Sequence, residues 1–127
     1  MQKQLKAVEK FHNTFLIENG TEPRLMTPDE CILRANLMDE ENKEYIEACA
    51  NQDIIEIADA LGDQLYILCG TILRHGLQHK IEEVFDEIQR SNMSKLGEDG
   101  KPIFREDGKI LKGQSYSPPN IKEILGL

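Results

Sequence analysis

Two short rows of carboxylates carry the strongest chemical signal in this chain. Glu40, Glu41 and Glu44 form an EExxE run, and Glu56, Asp59 and Asp63 follow at spacings of three and four. Such spacings place side chains on one face of a helix. In the first row the stripe Leu33, Leu37, Glu41, Glu44, Ala48 advances by four, four, three and four, so two acids interrupt a row expected to face inward. Like charges one turn apart cost a few tenths of a kcal/mol on an exposed helix, and desolvating them costs more. The second row lies on a segment that is otherwise nearly all apolar, with Ile54, Ile55, Ile57, Ala58, Leu61, Leu65, Ile67, Leu68 and Ile72. If the rows face each other, they form a cage of carboxylate oxygens. Hard divalent cations take oxygen ligands, and Mg²⁺ shares its shell with water and substrate phosphates. Mg²⁺ or Mn²⁺ is the expected occupant. A single EExxE is ordinarily a solvated helix face. The second acidic row on an apolar helix favours a metal site over that reading. Asp63 has a plainer alternative as a partner of Arg34 or Arg90.

Other groups sort around this cage. The apolar row Ile81, Phe85, Ile88 continues on the same face into Asn92 and Lys95, where an ammonium and an amide could meet a phosphate, sugar or base. A lysine at a helix C-terminus is also favoured by the dipole alone. Lys101, Arg105, Lys109 and Lys112 are further phosphate candidates. His75 and His79 are four apart but enclose Gly76 and lack the glutamate of HExxH, so they read as surface residues. Glu9 and His12 supply one ExxH where a di-iron bundle needs two. Gly97 to Lys101 is too short for a phosphate loop, and Pro102 follows the lysine where Ser or Thr should stand.

The elements that must position these groups are helical. A first helix is predicted from about Gln2 to Glu18, with Leu5, Val8, Phe11 and Phe15 on one face and a stop at Asn19-Gly20. The second starts with Thr27 as N-cap, Pro28 in the first turn and Glu30 closing a capping box, and runs to about Ala50. The third, Asp53 to about His75, is apolar around most of its circumference and is expected to be buried on more than one side. Gly76 ends it, and a fourth helix continues to Gly97. Then Glu98-Asp99-Gly100-Lys101 and Glu106-Asp107-Gly108-Lys109 repeat as turns, with a small hairpin available to Ile103-Phe104 and Ile110-Leu111. Tyr116, Pro118, Pro119 and Ile121 belong to an extended arm. One domain, residues 1–127, is expected, with a helical core of about 2–96 and an arm of about 97–127.

A net charge of −8 argues against a nucleic acid partner and leaves a small phosphorylated ligand bridged by a cation. Cys31, Cys49 and Cys69 suit neither a disulfide framework nor a zinc knuckle. With no membrane span or apolar leader in the sequence, a cytoplasmic protein is expected. Its shortness and charge favour a homodimer or homotetramer.

Taken in order, Glu40-Glu41-Asn42-Lys43-Glu44 and Glu56-Ile57-Ala58-Asp59 resemble the EExxE and ExxD signature of the MazG-like superfamily of all-α nucleotide pyrophosphohydrolases. The resemblance covers Thr27 to Lys95. The run Ser91 to Lys95, with Lys112-Gly113 and Tyr116, is similar to its phosphoribosyl-ATP pyrophosphohydrolase-like branch. The resemblance implies a four-helix MazG-like bundle with a Gly/Pro-rich arm. It assigns metal to Glu41, Glu44, Glu56 and Asp59, with Glu40 and Asp63 holding a second ion or orienting water, so that Glu40, Glu41, Glu44, Asp59 and Asp63 form the catalytic set. Asn92, Lys95 and Lys112 become substrate-binding candidates. The implied reaction is Mg²⁺-dependent hydrolysis of a nucleoside triphosphate, or a phosphoribosyl-ATP-like nucleotide, to monophosphate and pyrophosphate. The competing reading is a non-catalytic helical module that binds nucleotide or cation.

Overall fold

The computed structural model describes residues 1–127 and is all-α apart from one two-stranded ribbon. Its elements are α1 (Gln2–Thr14), α2 (Pro28–Ala50), α3 (Ile54–Arg74), α4 (Ile81–Met93), β1 (Ile103–Phe104), β2 (Ile110–Leu111) and α5 (Ile121–Ile124). None of the helices is long and apolar enough to cross a membrane. The chain divides into two compact units, Met1–His79 and Lys80–Leu127.

In the first unit α3 packs against α2 and α1. Leu5 and Val8 of α1, Ala48 of α2, and Ala60, Cys69, Ile72 and Leu73 of α3 are its buried apolar residues, with Met26 from the intervening loop. The expected capping box starts α2: Glu30 N–H donates to Thr27 Oγ1 at 3.2 Å, and Thr27 N–H donates to Glu30 Oε2 at 2.8 Å. At the start of α3, Asp53 is the N-cap, its Oδ1 accepting from the Ile55 and Glu56 amides. Gly76 ends α3 with φ of +69°, in a Schellman arrangement where Leu77 N–H reaches Ile72 O and Gly76 N–H reaches Leu73 O. A side chain there would also meet the Glu22 carbonyl at 2.0 Å, so glycine is needed twice over.

Helix α1 stops four residues before the predicted end. Leu16 turns left-handed (φ +60°) and Ile17 N–H bonds His12 O, because the chain folds back so that His12 Nδ1 can donate to Asn19 Oδ1 at 2.6 Å. Asn19 therefore anchors a loop instead of ending a helix. The following residues are laced to the end of α3: Gly20 N–H donates to Leu73 O, Arg24 N–H to His75 O and Gln78 Nε2 to Gly20 O. His75, predicted to be a surface residue, is half-buried, its Nδ1 donating to Arg24 O at 2.9 Å.

Burial of α3 also differs from expectation. Ile54, Ile55, Leu61, Leu65 and Leu68 are exposed in the chain, so the helix is covered where α1 and α2 meet it and open elsewhere. On α2 the expected inward stripe is only partly inward: Ala48 is buried, Leu37 and Glu41 are half-buried, and Leu33 and Glu44 are exposed.

In the second unit α4 ends at Met93, short of the predicted Gly97. Ser94 diverts the chain: its hydroxyl donates to Ser91 O at 2.6 Å and accepts from Ser117 N–H at 2.9 Å. The predicted hairpin forms, with Ile103 opposite Leu111 and Phe104 opposite Ile110. Both acidic repeats are turns, with Gly100 and Gly108 at positive φ and the Asp99 and Asp107 carboxylates accepting from the amides two residues on. Glu87 ties α4 to α5, accepting from Arg90 at 2.8 and 3.0 Å and from Asn120 N–H at 2.9 Å. The Arg90 guanidinium and that amide hold its carboxyl down at about 2, below its ordinary 4.5. A lowered carboxylate stabilises the fold above its unfolded value and stops doing so as pH falls through the folded one. The protection of the Asn120–Ile124 amides, taken against the intrinsic exchange rate at each pH, should therefore fall between about pH 4.5 and 2, and Glu87→Gln should show the lower protection already at pH 7. Exchange equally slow in the variant would refute the link.

Candidate active site

The α2–α3 connection sets the register of the acids. Gln52 adopts φ of +53° between the last residue of one helix and the N-cap of the next, so the two helices return antiparallel through a very short turn. Positions equidistant from Gln52 then tend to face each other. Glu41 and Asp63 each lie eleven residues from it, and their carboxylates meet.

Glu41, Glu44 and Asp63 each place a carboxylate oxygen within 4.8 Å of the others. Glu41 Oε2 is buried and has no hydrogen-bond partner in the protein. Burial raises the Glu41 carboxyl above its ordinary range, and Glu44, Asp63 and Glu40 push it further the same way. Every neighbour acting on it is another acid. Beside this trio, a cavity of about 320 Å³ is lined by Glu44, Glu47, Ala48, Asn51, Glu56, Asp59 and Ala60. Glu44 belongs to both groups and joins them into one acidic groove. Asn51 Nδ2 donates to Glu56 Oε2 at 3.3 Å across the turn.

The structure thus brings Glu41 and Glu44 together with Asp63, and places Glu56 and Asp59 in the adjoining cavity with Glu44. Glu40 enters through its field on Glu41. The alternative role for Asp63 is not seen, since Arg34 donates to Thr71 Oγ1 and Ile67 O while Arg90 holds Glu87. Glu47 and Asn51 were missed by the sequence reading. Their signal was available, because Glu40, Glu44, Glu47 and Asn51 advance by four, three and four along one face of α2.

A buried carboxylate oxygen with no donor, among acids that raise its proton affinity, is the donor set a hard cation fits. A proton is the only other compensation at hand, and it is lost as pH rises. The residues present therefore suit a divalent ion.

Asn92, Lys95 and Lys112 belong to the second unit. Asn92 lies in the last turn of α4 and Lys95 just beyond it, contrary to the prediction of a helical Lys95. Gly113 N–H donates to Lys95 O at 2.9 Å, which brings Lys112 to the same end of α4. Gly113 is needed there, as a side chain would meet Leu96 O at 2.3 Å. Lys112 Nζ lies over the Tyr116 ring at 4.6 Å from its centre.

Residues 8–92, about two thirds of the chain, match the sequence model of the family described as phosphoribosyl-ATP pyrophosphohydrolase. That stretch includes both acidic rows. No curated protein matches the chain. A solved structure described as a "putative NTP pyrophosphohydrolase" from Exiguobacterium sp. 255-15 is similar, with 27% identity over 94% of this chain and 90% of that one and a TM-score of 0.48. By the family match over both acidic motifs, the chain belongs to the phosphoribosyl-ATP pyrophosphohydrolase family, within the all-α, MazG-like nucleotide pyrophosphohydrolases.

Proposed function

We propose that this protein is a Mg²⁺- or Mn²⁺-dependent hydrolase that cleaves a nucleoside triphosphate, or a phosphoribosyl-ATP-like nucleotide, to the monophosphate and pyrophosphate. The observation that carries the metal dependence is the partnerless Glu41 oxygen among acids, in a chain of this family. Glu41, Glu44, Glu56 and Asp59 are the proposed ligands. A bound divalent ion would neutralise phosphate charge and lower the pKa of a coordinated water. Asp63 and Glu40, beside that set, would orient the attacking water and take its proton. Water oxygen bonds to the α-phosphorus, the bond to the bridging oxygen breaks, and pyrophosphate leaves. Asn92, Lys95 and Lys112 carry donors suited to the substrate's phosphates and are proposed as its binding residues.

The net charge of −8 supports a small nucleotide over a polymer, because the protein offers no excess of cations to a phosphate backbone. Pyrophosphate release should be measured on a panel of ribo- and deoxynucleoside triphosphates and phosphoribosyl-ATP, with Mg²⁺, Mn²⁺ or chelator. We expect chelator-sensitive release from at least one nucleotide, reduced on the order of a hundredfold or more by Asp59→Asn. Metal-dependent stabilisation without turnover on any of them would favour the non-catalytic binding module instead.

A further inference from the structure

One turn beyond the acids, the same face of α3 becomes aromatic. Asp59, Asp63 and Tyr66 advance by four and three, and at about 100° per residue Glu56, Asp59, Asp63 and Tyr66 fall within an arc of about 80°. Helix α1 brings two more rings to it. Phe11 stands nearly perpendicular to Tyr66 with centres 5.6 Å apart, and Phe15 lies against Phe11 at 4.4 Å with 33° between their planes. Three of the chain's seven aromatic residues therefore meet beside the carboxylates.

These rings do not complete the core of the first unit. Phe15 is 63% exposed, Tyr66 40% and Phe11 39%, while α1 buries Leu5, Val8 and His12. Single exposed apolar side chains are ordinary, but three in mutual contact form a surface whose orientation is already set by ring packing. The turn of α3 that carries Asp63 is open on the α1 side. Gly62 has no side chain there, and one placed at it would meet nothing within 4 Å. Gly62 and Tyr66 border a cavity of about 130 Å³ against Gln4, Ala7 and Val8 of α1.

We propose that Phe11, Phe15 and Tyr66 are the platform on which the base of the nucleotide stacks while its phosphates meet the cation in the acidic groove, a subsite that rests on the nucleotide reading of that groove. Asp63 joins the two halves. Its carboxylate lies within 4.8 Å of those of Glu41 and Glu44, and its backbone is about 4.5 Å along the helix from Tyr66. The chemistry of the occupant is set from both ends. Carboxylates take a phosphate chain through a bound cation, and a ring face takes any base, because every base has a face to stack. A polyphosphate without a base would leave the rings in water. The platform therefore selects nucleotides over inorganic polyphosphates and discriminates weakly among bases. Rings already packed on one another lose little freedom when a base arrives, so the contact is pre-organised.

The chain contains no tryptophan, so Phe15→Trp puts a single fluorescent reporter on the platform. On rapid mixing with Mg²⁺ and each nucleoside triphosphate, its indole emission should be quenched, and inorganic triphosphate, which has no base, should leave it unchanged. In steady state, Phe15→Ala should raise KM for the nucleotides by roughly five- to a hundredfold, the loss expected for one base–ring stack, with Phe15→Trp near the wild-type value. The Ki of inorganic triphosphate as a competitor should not follow that rise. An unchanged KM in Phe15→Ala, a KM and Ki that rise together, or an indole blind to a nucleotide that the protein cleaves would overturn the platform and leave the groove as the nucleotide site. An indole shielded in the free protein, with emission that depends on protein concentration, would put a second copy on the rings and overturn it as well. If nucleotides bind without being cleaved, the indole titration decides alone; if none binds, groove and platform fall together.

Discussion

Replacing Glu41 with glutamine should have two effects of opposite sign: pyrophosphate release falls by two orders of magnitude or more, while the metal-free protein unfolds at a higher temperature. The second effect follows from the raised carboxyl. Burial and the neighbouring acids make the folded state bind the Glu41 proton more tightly than the unfolded chain does. A group of that kind favours folding while protonated, and its ionised form loses stability as pH rises from the ordinary 4.5 through the folded value. At neutral pH the charge therefore works against the metal-free fold. Glutamine removes it and supplies an amide that can donate to Glu44 or Asp63. A divalent ion should stabilise the wild type by about 2.7 kcal/mol at a hundred times its dissociation constant, and the variant far less. Thermal melts from pH 5 to 8, with Mg²⁺ and with chelator, check both signs. A variant less stable than the wild type without metal would show that the Glu41 carboxylate holds the fold together.

The acids themselves were legible because they violate the apolar pattern of their helices. Their pairing was not. The family resemblance grouped Glu41 and Glu44 with Glu56 and Asp59. Which acids actually approach each other depends on the turn at Gln52, whose left-handed backbone sets the register. Counting outwards from it opposes Glu41 to Asp63 and carries Glu56 and Asp59 towards the turn, beside Glu47 and Asn51. A Gln in the left-handed region has no strong sequence signature, so local spacing was all the sequence supplied.

Punctuation explains what else could be read. Thr27, Glu30 and Gly76 act through contacts within a few residues, and each was found in its expected place. The early end of α1 and of α4 rests on contacts from further along the chain, His12 with Asn19 and Ser94 with Ser117, which override local helix propensity. The exposed apolar side of α3 is a third case. Its residues are as apolar as those of a core, and composition cannot distinguish a side covered by the same chain from one left open.

Substituting Arg74 by methionine should destabilise the first unit strongly, by roughly 1–3 kcal/mol. Arg74 is among its few buried charged residues, 9% exposed, and it serves three segments at once. One amino group donates to the Glu18 carbonyl, the other meets Glu30 Oε1 at 2.5 Å, and its own carbonyl accepts from Arg24 Nε at 2.8 Å. The second oxygen of Glu30 caps α2. One guanidinium and one carboxylate thus join the start of α2, the end of α3 and the loop leaving α1. Methionine fills the space but leaves a carbonyl and a carboxylate without their donor, a heavier loss than removing both partners. The effect should be global in urea unfolding yet silent at the acids, since Arg74 lies eleven residues beyond Asp63, about 16 Å along α3. Below its lowered midpoint the variant should still bind Mg²⁺ with wild-type affinity. A loss under 1 kcal/mol would mean that water replaces the guanidinium at this junction, and a loss of metal affinity in the folded variant would mean that the two ends of α3 are coupled.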